Sequence, residues 1–311
     1  MYKTEFRQAY YRSLMPLVHW PRLTPPVNWE EEFARSGPLE LEIGFGNGEA
    51  LVQRSEKRPE SNHIGIEISW ESIKRALRRL AAMGSSNVRL LQIDAHLAML
   101  RLFTPRSVQQ VLALFPAPWP KDRHVRRRLF STSFLQILGN RLVDTGEFKI
   151  VTDYQPLADW ILTQVPETGL VAQLSTTPAR FQTKYERKWL DNGQDIFYEL
   201  TLSKQRHIEA PDVEDFQLLS VRLKNFHPDT FKPIGQQGLI TIKFEEYLYD
   251  PQRRKALVRT FIAEERLIQE VYLQIVDRGE YWHLGLDHVT NVVPTTGVRR
   301  AVELLSEAAG L

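Results

Sequence analysis

The stretch Leu39-Glu-Leu-Glu-Ile-Gly-Phe-Gly-Asn-Gly-Glu-Ala50 decides how this chain is read. Its first five residues alternate apolar and acidic side chains and read as a strand. Gly44, Gly46 and Gly48 follow at every second position, where the chain turns tightly or lets a ligand approach its backbone. A helix is predicted directly afterwards, over Glu49–Glu56, and its open N-terminus favours negative charge. Strand, glycine turn and helix in that order open a parallel α/β sheet.

The unit recurs downstream. Further strands are predicted at 63–68, 88–94, 108–115 and 146–153, with helices at Trp70–Met83, His96–Phe103, Arg126–Asn140 and Gln155–Val165. This spacing implies βαβ units, and hence a mainly parallel sheet with helices on both faces over residues 38–203. Residues 1–37, polar and aromatic with Pro16, Pro21, Pro25 and Pro26, read as an N-terminal arm carrying a short helix at Trp29–Ser36. Ser203–Asp215 reads as a polar linker, beyond which the texture changes. Successive strands at 239–250, 255–265, 267–279 and 280–287, closed by a helix at Gly297–Ala309, predict a smaller antiparallel α+β domain over 216–311.

Composition narrows the class. With 42% hydrophobic and 25% charged residues, the 311-residue chain suits a globular rather than a disordered protein. It has no cysteine, which excludes disulfides and thiolate metal sites. The start MYKTEFRQAYYRSL lacks the apolar run of a signal peptide, and no apolar stretch is long enough to span a membrane. A cytoplasmic protein is expected. The net charge of +2 says little, but residues 1–200 hold 26 Lys and Arg against 22 Asp and Glu, and residues 201–311 hold 14 against 16. A polyanion would therefore meet the first part of the chain.

Three acids stand at predicted strand ends, where open α/β sheets bind ligands: Glu42, Glu67 and Asp94. Glu67 follows the glycines by about 20 residues, the interval at which a carboxylate bridges two ribose hydroxyls. Asp94 is placed to accept from an adenine amino group. The third glycine comes one residue earlier than in the dinucleotide pattern G-x-G-x-x-G, and an acid precedes the first. This is similar to the first motif of the class I methyltransferases, a Rossmann-like fold. The resemblance implies S-adenosylmethionine as cofactor, held by Glu42, Gly44, Gly46, Gly48, Glu67 and Asp94.

After the fourth strand comes Phe115-Pro-Ala117-Pro-Trp119-Pro-Lys121-Asp-Arg123-His124-Val-Arg126-Arg127-Arg128. Three prolines stiffen a loop at the cofactor mouth, and Trp119 suits base stacking or simply covers the crevice. Six of residues 121–128 are Lys, Arg or His, a density that suits several phosphates. A solvated helix start is the plainer explanation. A helix N-terminus, however, is a poor place for arginine without a compensating anion.

The segments LEIGFGNGE, GIEI, LLQIDA, FPAPWPKDRHVRRRL, FKIVTD and TKYE, spread over residues 37–202, together resemble the bacterial tRNA (guanine-N7)-methyltransferases that modify the variable loop. The resemblance implies that tRNA is the partner. It also implies that Lys121, Asp153 and Thr183-Lys184-Tyr185-Glu186 contact the guanine and its surroundings, while the charge cluster itself puts Arg123, His124, Arg126 and Arg127 on RNA phosphates. One position departs from the family: Ala117 stands where it usually has an aspartate that orients the guanine, so no catalytic residue is assigned. Asp122, Asp153 and Glu186 are the nearby acids. A catalytically impaired tRNA-binding paralogue and a methyltransferase acting on another RNA are the competing readings. His283 and His288 near Asp287 read as surface groups, with no metal expected, and Arg253, Arg254 and Lys255 read as a hairpin tip.

Overall fold

The computed structural model describes residues 13–210, 219–264, 267–287 and 292–310. Residues 1–12 of the expected arm, 211–215 of the expected linker, His288 and the side chain of Asp122 lie outside that description. The chain divides into two compact units, Met1–Pro211 and Asp212–Leu311.

The first unit contains the strands β1 (Leu39–Ile43), β2 (Asn62–Glu67), β3 (Val88–Gln92), β4 (Val108–Leu114), β5 (Leu142–Thr152), β6 (Leu170–Pro178) and β7 (Ile196–Lys204). Its helices are α1 (Trp29–Phe33), α2 (Glu49–Lys57), α3 (Trp70–Met83), α4 (Ala95–Arg101), α5 (Thr132–Arg141), α6 (Gln155–Gln164) and α7 (Lys184–Asp191). The strands form one sheet in the order β3-β2-β1-β4-β5-β7-β6. β3, β2, β1, β4 and β5 run parallel, and β7 is antiparallel to both β5 and β6. Every residue of β1 is buried, as a central strand covered on both faces requires.

Side-chain periodicity explains the helices. Ile73, Ala76, Leu77 and Leu80 bury one stripe of α3, packing with Phe45, Leu51 and Val52 against the sheet. Ser69 caps its start by accepting from Ser72 N, and Gly84 ends it with φ 66°. The segment read as an arm lies against this unit: Val18, Val27, Trp29 and Phe33 are buried in its largest core, and Trp29 stacks on Phe103 at 5.2 Å.

The helix expected over Arg126–Asn140 is replaced by a 3₁₀ segment, Asp122–Arg127, and a helix that begins at Thr132 after the N-cap Ser131. Arg128 is the reason. Its guanidinium is drawn inward, donating to the carbonyls of Pro118 (3.0 Å) and Trp119 (3.3 Å) and lying 5.0 Å above the Trp160 ring. The arginine run therefore precedes the helix, and the helix-dipole argument for it does not apply.

The second unit is a five-stranded antiparallel sheet, β8 (Val221–Leu223), β9 (Thr241–Asp250), β10 (Lys255–Ala263), β11 (Ile268–Asp277) and β12 (Trp282–Leu286), ordered β8-β12-β11-β10-β9. Its helix α8 (Thr296–Ala308) buries Val298, Ala301, Val302 and Leu305 in one core with Ala256, Val258 and Ile262 of β10. At the β9–β10 turn, Arg254 pairs with Asp277 and Lys255 with Asp287. A mainly parallel, helix-flanked sheet plus a separate antiparallel α+β unit is the fold class anticipated.

One ion cluster anchors the parallel sheet. Glu40, 2% exposed on β1, accepts from Arg54 of α2 (2.7 Å), Arg58 (2.7 Å) and the Ser61 hydroxyl (3.1 Å). Removing one member of a buried pair strands the others' charge. Glu40→Gln is expected to cost about 3–5 kcal/mol of stability, seen as a lowered urea midpoint with an unchanged slope.

Candidate active site

The order of the sheet reverses between β1 and β4: β2 and β3 lie to one side, β5 to the other. Ligands of open α/β sheets bind at the carboxyl ends of the strands flanking such a point. A cleft opens there, its walls including Glu42, Gly44, Gly46, Phe115, Lys184 and Tyr185. Segments from the ends of β1 and β4 thus meet a third segment, at the start of α7, more than 60 residues further along the chain.

The glycine turn has two jobs. Gly44 and Gly46 hold φ of 69° and 54°, and a Cβ on either would meet nothing within 4 Å. Their backbone therefore borders open space. Gly48 does the opposite: a Cβ there would come within 2.8 Å of Ala76 Cβ, so this glycine lets α2 approach α3.

Glu42 is the unusual acid. It is 2% exposed, and its Oε2 is buried without a hydrogen-bond partner. Burial raises its carboxyl to about 7, against the pull of Arg54 and with a further push from Glu49. An unpartnered carboxylate buried in a cleft wall is poised for a cationic ligand.

Glu67 joins the turn from the next strand, its Oε2 accepting from Gly46 N at 3.1 Å. Its Oε1 accepts from Ile68 N (2.8 Å) and Ser69 N (2.9 Å). Asp94, one strand further out, caps α4 through Oδ1, which accepts from His96 N (2.9 Å) and Leu97 N (3.2 Å). Neither residue is among those lining the cleft. Asp153 follows β5, half-buried, with burial raising its carboxyl.

At the start of α7, Thr183, Lys184 and Tyr185 line the cleft, whereas Glu186 turns inward. Glu186 is 1% exposed and accepts from the backbone N–H groups of Arg180 (3.0 Å), Phe181 (3.1 Å) and Thr183 (3.0 Å). The Thr183 hydroxyl returns the bond by accepting from Glu186 N at 3.1 Å, a capping box. Glu186 was read as a contact to the guanine. In this structure its oxygens are engaged by the amides of its own loop, which it shapes. Tyr185 is 52% exposed and stacks on Phe115, centroids 6.3 Å apart.

The loop after β4 carries the cations. Lys121, Arg123, Arg126 and Arg127 are exposed, and His124 is half-buried. Arg127 lies 5.1 Å over the Trp119 ring, and His124 meets that ring edge-on at 5.7 Å. Ala117 is exposed in the same loop. Sequence reasoning gave Glu49 no role, although it closes the glycine motif, because its partners lie up to 138 residues away. Among the described residues, no group of three or more His, Asp or Glu is arranged to hold a metal, and no helix is long and apolar enough to cross a membrane.

Comparison with known proteins gives the family. A family model described as "Putative methyltransferase" matches residues 36–199. A tRNA (guanine-N(7)-)-methyltransferase of Chlorobium phaeobacteroides is 42% identical over 183 residues, 58% of this chain and 90% of that protein. Proteins of the same name from Thermus thermophilus and Coprothermobacter proteolyticus are 31% and 29% identical over 95% and 90% of this chain, and 96% and 89% of their own lengths. The longer matches extend into the second unit, so that unit is shared with some relatives. The chain belongs to the tRNA (guanine-N(7)-)-methyltransferase family.

Proposed function

We propose that this protein transfers the methyl group of S-adenosylmethionine to N7 of a guanine in tRNA, acting in the cytoplasm on the variable-loop guanosine that its sequence resemblance implies. Residues 38–203 carry the activity, with 216–311 as an additional domain. The observation behind this reading is the cleft in which Glu42 and the open glycine turn face Thr183, Lys184 and Tyr185.

The residues present suit the donor. The unpartnered oxygen of Glu42 matches the α-ammonium of its methionine part, and the space beside Gly44 and Gly46 admits the chain that follows. The sequence motif assigns Glu67 and Asp94 to the ribose hydroxyls and the adenine amino group, although both stand outside the cleft lining and already accept backbone N–H groups. The bound donor supplies a methyl group already activated on a sulfonium sulfur. Guanine N7 carries a free lone pair and no proton, so the protein needs no general base. Its task is placement, a contribution of about 7–11 kcal/mol where alignment is good. Tyr185 and Phe115 offer a face for the base, and the resemblance adds Lys121 and Asp153 as contacts to the guanine. Arg123, His124, Arg126 and Arg127 meet phosphates, and Arg128 holds their loop in shape.

Unmodified tRNA incubated with the protein and donor is expected to yield 7-methylguanosine on nucleoside analysis. Tight tRNA binding without product would favour the silent paralogue, and product only on another RNA the third reading. A carboxylate hydrogen bond to a guanine N–H is worth roughly ten- to a hundredfold in rate. Ala117→Asp should raise turnover within that range, and no gain in a folded variant would mean that other groups orient the base.

Exposed cations on phosphates leave a salt signature. Replacing Arg126 and Arg127 together by Gln should weaken tRNA binding. It should also flatten the log–log salt dependence by about 1.5 for two single-strand contacts. An unchanged slope removes these residues from the interface.

Glu42 makes donor binding depend on pH. Its carboxyl sits at about 7 rather than 4.5, so it favours folding of the free protein at low pH, and that favour is lost as pH rises through about 7. Donor binding wants the ionised form and should strengthen across the same rise, releasing protons. Calorimetry at pH 6.5 in two buffers of different ionisation heat should show that release, and Glu42→Gln should abolish it.

A further inference from the structure

Glu49 is the first residue of α2 and comes directly after Gly48 of the glycine turn. Its side chain is only 9% exposed. Oε2 accepts the backbone N–H of Lys184 at 2.8 Å, and Oε1 accepts from the guanidinium groups of Arg187 at 2.7 Å and Arg79 at 3.1 Å. Arg79 also donates to the backbone oxygen of Asn47, within the turn, at 3.1 Å. Lys184 N is one of the free amides at the start of α7, so one carboxylate stands between the electropositive ends of two helices. Glu186 fixes the internal shape of the 183–186 loop. Glu49 fixes where that loop sits relative to the glycine turn.

We propose that Glu49 is a positioning residue for methyl transfer: from its own place in the cleft wall, its carboxylate holds the Thr183–Tyr185 segment in register with the donor-binding turn. The proposal rests on the functional reading above. Because α2 starts where the turn ends, whatever fixes the turn also fixes this carboxylate, and through it the acceptor side. Donor binding should therefore tighten the Lys184 amide, and loss of Glu49 should uncouple the two walls of the cleft.

The test uses the full-length protein and the variants Glu49→Ala and Glu49→Gln. In Glu49→Ala, hydrogen exchange at Lys184 and Tyr185 should quicken at least tenfold, with kcat/KM for tRNA lowered about ten- to a hundredfold and donor binding weakened far less, because losing the Glu49 charge also removes its push on the Glu42 carboxyl. Glu49→Gln keeps an acceptor for Lys184 N but loses the charge facing Arg79 and Arg187. It should recover part of both effects, and it carries the test if the alanine variant does not fold. Exchange within twofold of the parent in both variants would overturn the proposal. A donor affinity that falls in parallel with kcat/KM would overturn it too. If the parent makes no 7-methylguanosine, the functional reading itself fails and the positioning role falls with it. A working parent with insensitive variants sinks the positioning role alone.

Discussion

Two carboxylates on one face of a strand buried from end to end set the terms for this molecule. Glu40 and Glu42 are two residues apart on β1 and share the field of one arginine, Arg54. The first is compensated: Arg54, Arg58 and Ser61 surround it, and the sheet's rear edge is tied to α2. The second, at the end where the glycine turn begins, keeps an oxygen without a partner. A buried acid left in that condition holds its proton near neutrality and favours whatever cation enters. The strand thus separates a structural end from a receptive end with the same residue type, and the difference lies in what α2 brings to each.

Around this axis, much of the cleft wall consists of loops held by their own polar groups. The loop after β4 carries two non-glycine residues in the left-handed region, Phe115 at φ 51° and Trp119 at φ 43°. Such conformations cost of order 1–3 kcal/mol each and persist where the surroundings enforce them. Here the surroundings are identifiable. Phe115 N donates to Val151 O at 2.7 Å, and Arg128 grips the carbonyls of Pro118 and Trp119. The exposed cations of the loop are thereby presented on a stiff frame instead of a helix end.

The parallel strands and their helices were legible because each carried a clear period and a recognisable boundary. β1 to β5 and α2, α3, α4 and α6 lie within a few residues of their expected bounds. What escaped was β6, α7 and β7. β6 is a sheet-edge strand whose inward face is only Leu170, Ala172 and Leu174 before a polar run, too short an alternation to stand out. α7 buries Glu186 and no apolar residue, so it offered no hydrophobic stripe to read. The site was legible to the same degree. Residues next to one another in sequence, such as the glycine turn, could be assigned. The roles of Glu49 and Glu186 depend on amides and guanidinium groups brought together by the fold, and a run of residue types does not show which carboxylate faces inward.

The antiparallel pairing of β6 with β7 has a consequence for how the two walls of the cleft are built. The glycine-turn side of the cleft is woven into the parallel sheet, following directly on its central strand. The side formed by Thr183, Lys184 and Tyr185 is a detour: β6 runs out, α7 follows, and β7 runs back along both β6 and β5. Residues can be gained, lost or exchanged within that detour while the strands beneath keep their hydrogen bonds. A scaffold divided in this way lets one wall of the cleft diverge while the other stays constant, so the 179–195 segment is the part of the wall that can be exchanged without rebuilding the sheet.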